Sequence, residues 1–344
     1  MKSKANYREV ITRYRAFWQG ELADRVLFVT DVGPFADPPI AYHLDVESQI
    51  AWYRQKYEER KKFRDDMLPC ATPRFATGIS GAVWGCDTEF SSETSWNTSH
   101  PLEDWKQLDD FAFDPDNFWY REKLRQTQRL TEASGGDFAV GEIDLLGPGD
   151  IILQLRGMEH FMMDFYDHPR ELRRLGDLVT RQLLINFAET QRLLPHPEDG
   201  TCFRIGMWTP GNGLQFCEDC MINLSPEVYR EFLRPWDAAL LGACGPSMYH
   251  LHTGSVHLLE DIYTIPGVGC VQFAEDPECQ RAVEILPQIR KVQEAGVAVM
   301  IECCKDEIKG ILTELHHGGL LLWVKDVEGE AETNNLEQQL YEWS

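Results

Sequence analysis

The sequence predicts an α/β protein of the (β/α)8 TIM-barrel type, one domain with an irregular N-terminal extension. Apolar, β-branched runs alternate with helical patterns along the chain. Seven such runs start at Arg25, Phe138, Thr201, Met248, Gly269, Ala298 and Leu320, and an eighth fits between Pro69 and Phe90. The later runs end in side chains that bind or ionise. Repeated strand-then-helix units imply a parallel sheet with right-handed crossovers. In such folds the carboxyl ends of the strands form the functional rim.

The elements follow in order. Tyr7 to Trp18 has helical spacing, with Val10, Tyr14, Phe17 and Trp18 on one side. Arg25 to Val32 reads as a strand closed by Gly33-Pro34. A charged helix follows from about Val46 to Asp66, then strands and loops over Pro69 to Trp96. Asn117 to Ser134 is helical and stops at Gly135-Gly136. Residues 1–100 are therefore expected to complete a barrel built mainly by residues 101–344. Within the latter, Phe138 to Leu146 reads as a strand, Asp150 to Asp167 as a helix broken at Gly157, and Pro169 to Leu194 as a long helix. Thr201 to Trp208 reads as the next strand, and Ser225-Pro226-Glu227 opens a helix with good capping chemistry. Glu332 to Trp343 closes the chain as a helix.

Composition narrows the function. The 344 residues are 43% apolar, enough for a full core, and carry a formal charge of −23 from 56 acidic and 33 basic side chains. Such a surface repels phosphate backbones and anionic lipid, so neither nucleic acid nor membrane is an expected partner. No stretch approaches a membrane span, and no apolar leader precedes a cleavage site. Ten cysteines without a leader read as reduced thiols in the cytoplasm.

The sharpest chemical signal is His250-Leu251-His252-Thr253-Gly254. Residues two apart on a strand share a face, so both imidazoles would project side by side at the rim. Imidazole is the commonest metal ligand, and a third ligand could come from Glu302, Cys303 or Cys304. A thiolate with two imidazoles suits zinc; hydrogen bonding to substrate without metal is the alternative. Glu142 and Asp144 place two carboxylates on one strand face as candidate acid and base. Within Cys217-Glu218-Asp219-Cys220, Asp219 is the expected functional member and the cysteines bystanders, because a structural zinc would need a second pair. Gln272 and Lys325 end later strands on the inner face. Trp208 and Phe273, with Trp84, Phe90, Trp96 and Trp323, could wall a cavity for a planar ligand. No dinucleotide, P-loop or serine-hydrolase pattern occurs.

Three ordered blocks resemble the uroporphyrinogen decarboxylase superfamily. The first runs from Leu145-Leu146-Gly147-Pro148-Gly149-Asp150 through Leu155-Arg156-Gly157 to Asp164-Phe165-Tyr166-Asp167-His168-Pro169. The second is Leu224-Ser225-Pro226-Glu227 to Leu233-Arg234-Pro235, and the third is the His250 strand with Ile265-Pro266-Gly267. The resemblance covers roughly residues 100 to 344 and implies a barrel with its site in a cleft at the strand ends. Asp24-Arg25-Val26-Leu27 lacks the arginine-rich signature of the true decarboxylases. The resemblance therefore points to the branch of zinc-dependent methyltransferases that work with corrinoid proteins. In that branch His250 matches the motif histidine, His252 stands where a cysteine would be, and Lys325 stands where the last cysteine would be.

Two enzymatic readings result. In the first, a methyl group moves from a small O-, N- or S-methylated substrate to a corrinoid carried on a partner protein, with zinc held by His250, His252 and Glu302 or Cys303. In the second, a decarboxylase or lyase acts without metal through Asp219, Arg156 or His250; Arg156 is also a candidate substrate contact. A third reading is a ligand sensor that kept the barrel. The methyl donor, the third metal ligand and the question of a homodimer stay open.

Overall fold

The computed structural model describes residues 1–30, 38–92, 94–143, 145–275 and 278–344. Nine strands concern the site: β1 (Leu27–Thr30), β2 (Cys70–Ala71), β3 (Ala139–Val140), β4 (Leu145–Leu146), β5 (Gln215–Cys217), β6 (Ser247–His252), β7 (Val268–Ala274), β8 (Ala298–Cys303) and β9 (Leu320–Val324). Seven form one sheet in the order β1-β9-β8-β7-β6-β5-β4, with every neighbouring pair parallel. β2 and β3 form a separate parallel pair, and β3 leads into β4 across residues 141–144. Beside β1, the Asp66 N–H donates to the Phe28 carbonyl at 2.8 Å just before β2 begins. The result is an α/β, TIM-barrel-like arrangement, although among the described residues no strand ladder joins β1 to β2. No helix among the described residues is long and apolar enough to cross a membrane.

One expected strand is corrected. Thr201 to Trp208 is not a strand of the main sheet but folds on itself as an antiparallel hairpin, Gly200–Cys202 against Trp208–Pro210. Gly206 sits at φ +77°, and the tight turn bonds the Phe203 N–H to the Met207 carbonyl at 2.7 Å. The short β5, directly after it, takes the place in the sheet. A run of apolar residues looks the same whether it continues or turns back.

Alternation divides each strand between two cores. Val26, Phe28, Phe216, Tyr249, Leu251, Val271, Phe273, Ile301 and Cys303 pack outward against the helices. Leu27, Val29, Met248, Cys270, Met300 and Leu321 face inward and form a second core. That inner core is floored by the first helix, Tyr7–Gln19, through Val10, Tyr14 and Phe17, and by Phe203, Ile205 and Trp208 of the hairpin. Buried ion pairs fasten the segment before β2: Arg25 with Asp66 at 2.6 Å, and Lys4 with Asp65 at 2.8 Å. The interior is thus apolar at the amino ends of β6 to β9. Further along the same faces it becomes polar: His250 and His252 on β6, Gln272 on β7, Glu302 on β8 and Lys325 after β9.

Candidate active site

Register assembles the site. β6 aligns His250 with Cys217 on one side and with Gln272 on the other. The His250 Nδ1 lies 3.0 Å from Gln272 Oε1, and its Nε2 lies 3.0 Å from His252 Nε2. With the amide oxygen toward the ring, Nδ1 carries the proton and Nε2 presents a lone pair. The Cys217 thiol donates to Asp219 Oδ1 at 2.8 Å, and the same carboxylate oxygen is 3.5 Å from His252 Nε2. Ligand atoms of Cys217, Asp219 and His250 all lie within 4.8 Å of one another. Zinc bonds of 2.0–2.3 Å bring their ligand atoms to roughly such separations. The donor set fits: the Cys217 thiol, the Asp219 carboxylate and the His250 imidazole converge, His252 lies beside His250 and Asp219, and Gln272 fixes the His250 tautomer as outer partners of metal ligands do.

The loop bearing Asp219 is held from behind. Asp150, in the first turn of the Pro148–Arg156 helix, accepts the N–H groups of Asp219 and Cys220, both at 2.7 Å. In return Glu218 accepts the N–H groups of Gly149 and Asp150 at 3.2 and 2.6 Å. Gly147 and Gly149 leave room for this; a Cβ there would sit 2.0 and 2.7 Å from the Glu218 oxygens. Behind Glu218, Asp237 accepts from the Tyr229 and Tyr249 hydroxyls at 2.8 and 3.2 Å. Burial, with Asp237 alongside, raises Glu218 well above the carboxylate range. Burial likewise pushes Asp237 up to about 7, and burial with Asp219 nearby pushes Asp150 up to about 7. Asp150, Glu218 and Cys220 also approach one another, but they are buried, the two carboxyl groups accept backbone N–H groups and the Cys220 thiol donates to Glu218, so together they brace the loop.

The other expected site residues are dispersed. Glu302 and Lys325 pair with each other on β8 and after β9. Cys303 points outward into the main core, where burial raises its thiol, so it faces away from the histidines. Cys304 begins the next turn, its N–H donating to Glu307 at 2.8 Å. Glu142 is buried against Lys123 at 2.7 Å. Asp144 lies outside the described residues. Arg156 holds Asp164 at 2.8 Å and the Leu102 and Glu103 carbonyls, buried at the end of its helix. Phe273 packs outward, opposite to Gln272. Trp208 is buried at the floor, its indole N–H donating to the Pro197 carbonyl at 2.9 Å, at the far end from the histidines. Trp84 is buried against Phe111 and Phe113, Phe90 stacks on His43, and Trp96 is exposed.

Cys217, read from sequence as a bystander, stands beside His250 in the sheet, with its thiol on Asp219. The pattern Cys217-x-Asp219 repeats the His-x-His spacing, a signal hidden while the strand was placed at Thr201 to Trp208.

No protein-family model matches this chain, and no curated protein sequence matches it. Among solved structures, the chain is similar to a methyltransferase from Methanosarcina mazei, with a TM-score of 0.68 over 97% of this chain and 98% of that one, at 15% identity. At that identity the likeness establishes a shared fold.

Proposed function

We propose that the chain is a methyltransferase moving a methyl group from a small O-, N- or S-methylated substrate to a corrinoid protein. One observation carries the reading: His250, held through Nδ1 on Gln272, turns its Nε2 to His252 Nε2 and toward Cys217 and Asp219. We assign these four residues as the zinc set, in place of Glu302 and Cys303. Zinc bound there would act as a Lewis acid toward the heteroatom that loses its methyl group. The protein's own part is positional. Gln272 orients His250, Asp150 fixes the turn that carries Asp219, and Glu302 with Lys325 supplies a charged pair on the same rim. In that transfer the methyl–heteroatom bond would break with its electron pair staying on the heteroatom, which zinc or a proton would neutralise, and the methyl group would pass to the cob(I)alamin of the partner protein as its acceptor.

The likeness to a methyltransferase supports the fold this reading needs. On it we read the sheet as a (β/α)8 barrel of the uroporphyrinogen decarboxylase type. The ten cysteines, all free thiols, support a cytoplasmic protein. The decarboxylase alternative is weakened because Arg25 and Arg156 are both held in buried ion pairs. The test is methyl transfer from a panel of methyl ethers, methylamines and methyl thioethers to cob(I)alamin, followed by loss of the cob(I)alamin absorbance. Turnover that disappears in His250→Ala is expected. Zinc-loaded protein inert toward the whole panel would overturn the proposal.

A further inference from the structure

We propose that the start of the first helix, Tyr7–Gln19, binds the phosphate group of a small organic phosphate. The cleft there, of about 560 Å³, is lined by residues 1–2 and 4–9 with Gly136. That volume is within the range of small-molecule sites. The helix floors the inner core at the amino ends of the strands. The cleft is therefore remote from the histidines, and the proposal stands independently of the methyl-transfer reading.

The helix leaves its first donors unused. Asn6 occupies the capping position, but its backbone sits at φ −98° and ψ 26° rather than extended, and its side chain caps nothing. The Tyr7 N–H turns back to the Lys4 carbonyl at 3.3 Å, and the Val10 N–H takes the Asn6 carbonyl at 3.1 Å. Among the described residues the N–H groups of Arg8 and Glu9 meet no acceptor. Such groups point out of a helix start, where the aligned peptide dipoles favour an anion. The Asn6 side chain is an independent sign of a ligand. Asn6 is 8% exposed, lines the cleft, and has neither amide atom hydrogen-bonded. A buried amide without a partner is destabilising, and a phosphate oxygen accepting from its Nδ2 would relieve that.

Cations complete the site, in a chain whose net charge is −23. Arg8 is exposed, lines the cleft and forms no ion pair among the described residues. Lys2 lines it too, with Asp137 as its exposed partner at 3.4 Å. The carboxylate in the lining, Glu9, is turned to two other arginines, 3.4 Å from Arg13 and 3.5 Å from Arg64. The segment ahead of the helix is fixed in place. Lys4 is buried against Asp65 at 2.8 Å, and the Ala5 N–H donates to the Lys61 carbonyl at 3.2 Å. A guanidinium beside backbone N–H groups at a helix start matches the oxygens of a phosphate. The half-buried Tyr7 ring offers an apolar face to the organic part.

The test measures binding without turnover. Phenyl phosphate, phenol and inorganic phosphate are titrated calorimetrically into the wild type, Asn6→Asp and Arg8→Gln, each checked for folding by circular dichroism. Aspartate has the shape of asparagine and caps helices as well, so Asn6→Asp should fold while placing a negative charge against the anion. Phenyl phosphate should bind the wild type at least about tenfold more tightly than phenol, and each variant should weaken it at least about fivefold. Phenyl phosphate bound no better than phenol by the wild type, which involves no mutation, would overturn the site. Affinity unchanged in both folded variants would place the phosphate elsewhere and would overturn it as well. Inorganic phosphate binding more tightly than phenyl phosphate would overturn the organic-phosphate assignment.

Discussion

Asp237→Asn tests the buried acid network behind the site. Asp237 is fully buried, faces Glu218, and accepts from two tyrosine hydroxyls that are themselves buried. Two buried carboxyl groups that face each other resist ionising together, because that places like charges in a medium that screens them poorly. Asp237 is pushed up to about 7 by that burial, against 3.8 for an unperturbed aspartate. Between these values the folded state holds the proton more firmly than the unfolded chain. The stability it contributes is therefore complete below about pH 4 and lost as pH rises through about 7. About three pK units correspond to on the order of 4 kcal/mol in all, of which roughly 2–3 kcal/mol falls between about pH 5 and pH 8. Asparagine keeps the shape and one acceptor oxygen but does not titrate. The variant should be less stable than the wild type at pH 5, and the gap should narrow by about 2 kcal/mol at pH 8. Urea unfolding midpoints of both proteins at the two pH values measure this, since groups common to both cancel in the difference. Parallel pH profiles would show that Asp237 is ionised in the fold.

Three further outcomes follow from particular contacts. Lys123→Met strands the buried Glu142 carboxylate and should cost about 3–5 kcal/mol in urea unfolding, much of it recovered when Glu142→Met is added. A double variant no better than the single one would disprove the pairing. Gly176, in the helix Pro169–Gln191, meets Trp236 of the helix Arg234–Leu241; Gly176→Ala places a Cβ 2.0 Å from that ring and should lower stability by about 1–3 kcal/mol, and an unchanged thermal midpoint would rule out this close approach. Trp208→Phe should lower stability by roughly 1–3 kcal/mol through lost packing and the lost bond to Pro197, while zinc affinity stays constant. Weakened zinc binding at unaltered stability would instead put Trp208 at the site.

Much of the architecture was legible because strand periodicity leaves little choice when both faces are apolar. The runs at Met248, Gly269, Ala298 and Leu320 all form parallel strands, and the alternation that placed His250, His252 and Gln272 on one face holds. The short strands were harder. The run from Phe138 splits into two two-residue pieces, and β5 is three residues long, too brief for periodicity to register. That error carried into the chemistry. The sheet takes Gln215–Cys217 in place of the run from Thr201 to Trp208, so Trp208 lies at the floor and Cys217 ends a strand. On β8, Cys303 packs outward into the main core, away from the histidines. Glu302 does face inward, yet Lys325 lies within reach just after the neighbouring strand, and no reading of spacing anticipates that ion pair. The buried acid network was invisible for a different reason: Glu218, Asp237 and Tyr249 are distant in sequence and meet only through packing.

The most direct test of the central claim is the zinc content of protein purified without chelator, for the wild type, Cys217→Ser and His250→Ala. The account predicts about one zinc per chain in the wild type and a clear loss in both variants, each still folded. Zinc retained in full by Cys217→Ser and His250→Ala, or absent from the wild type even after zinc is supplied, would contradict it.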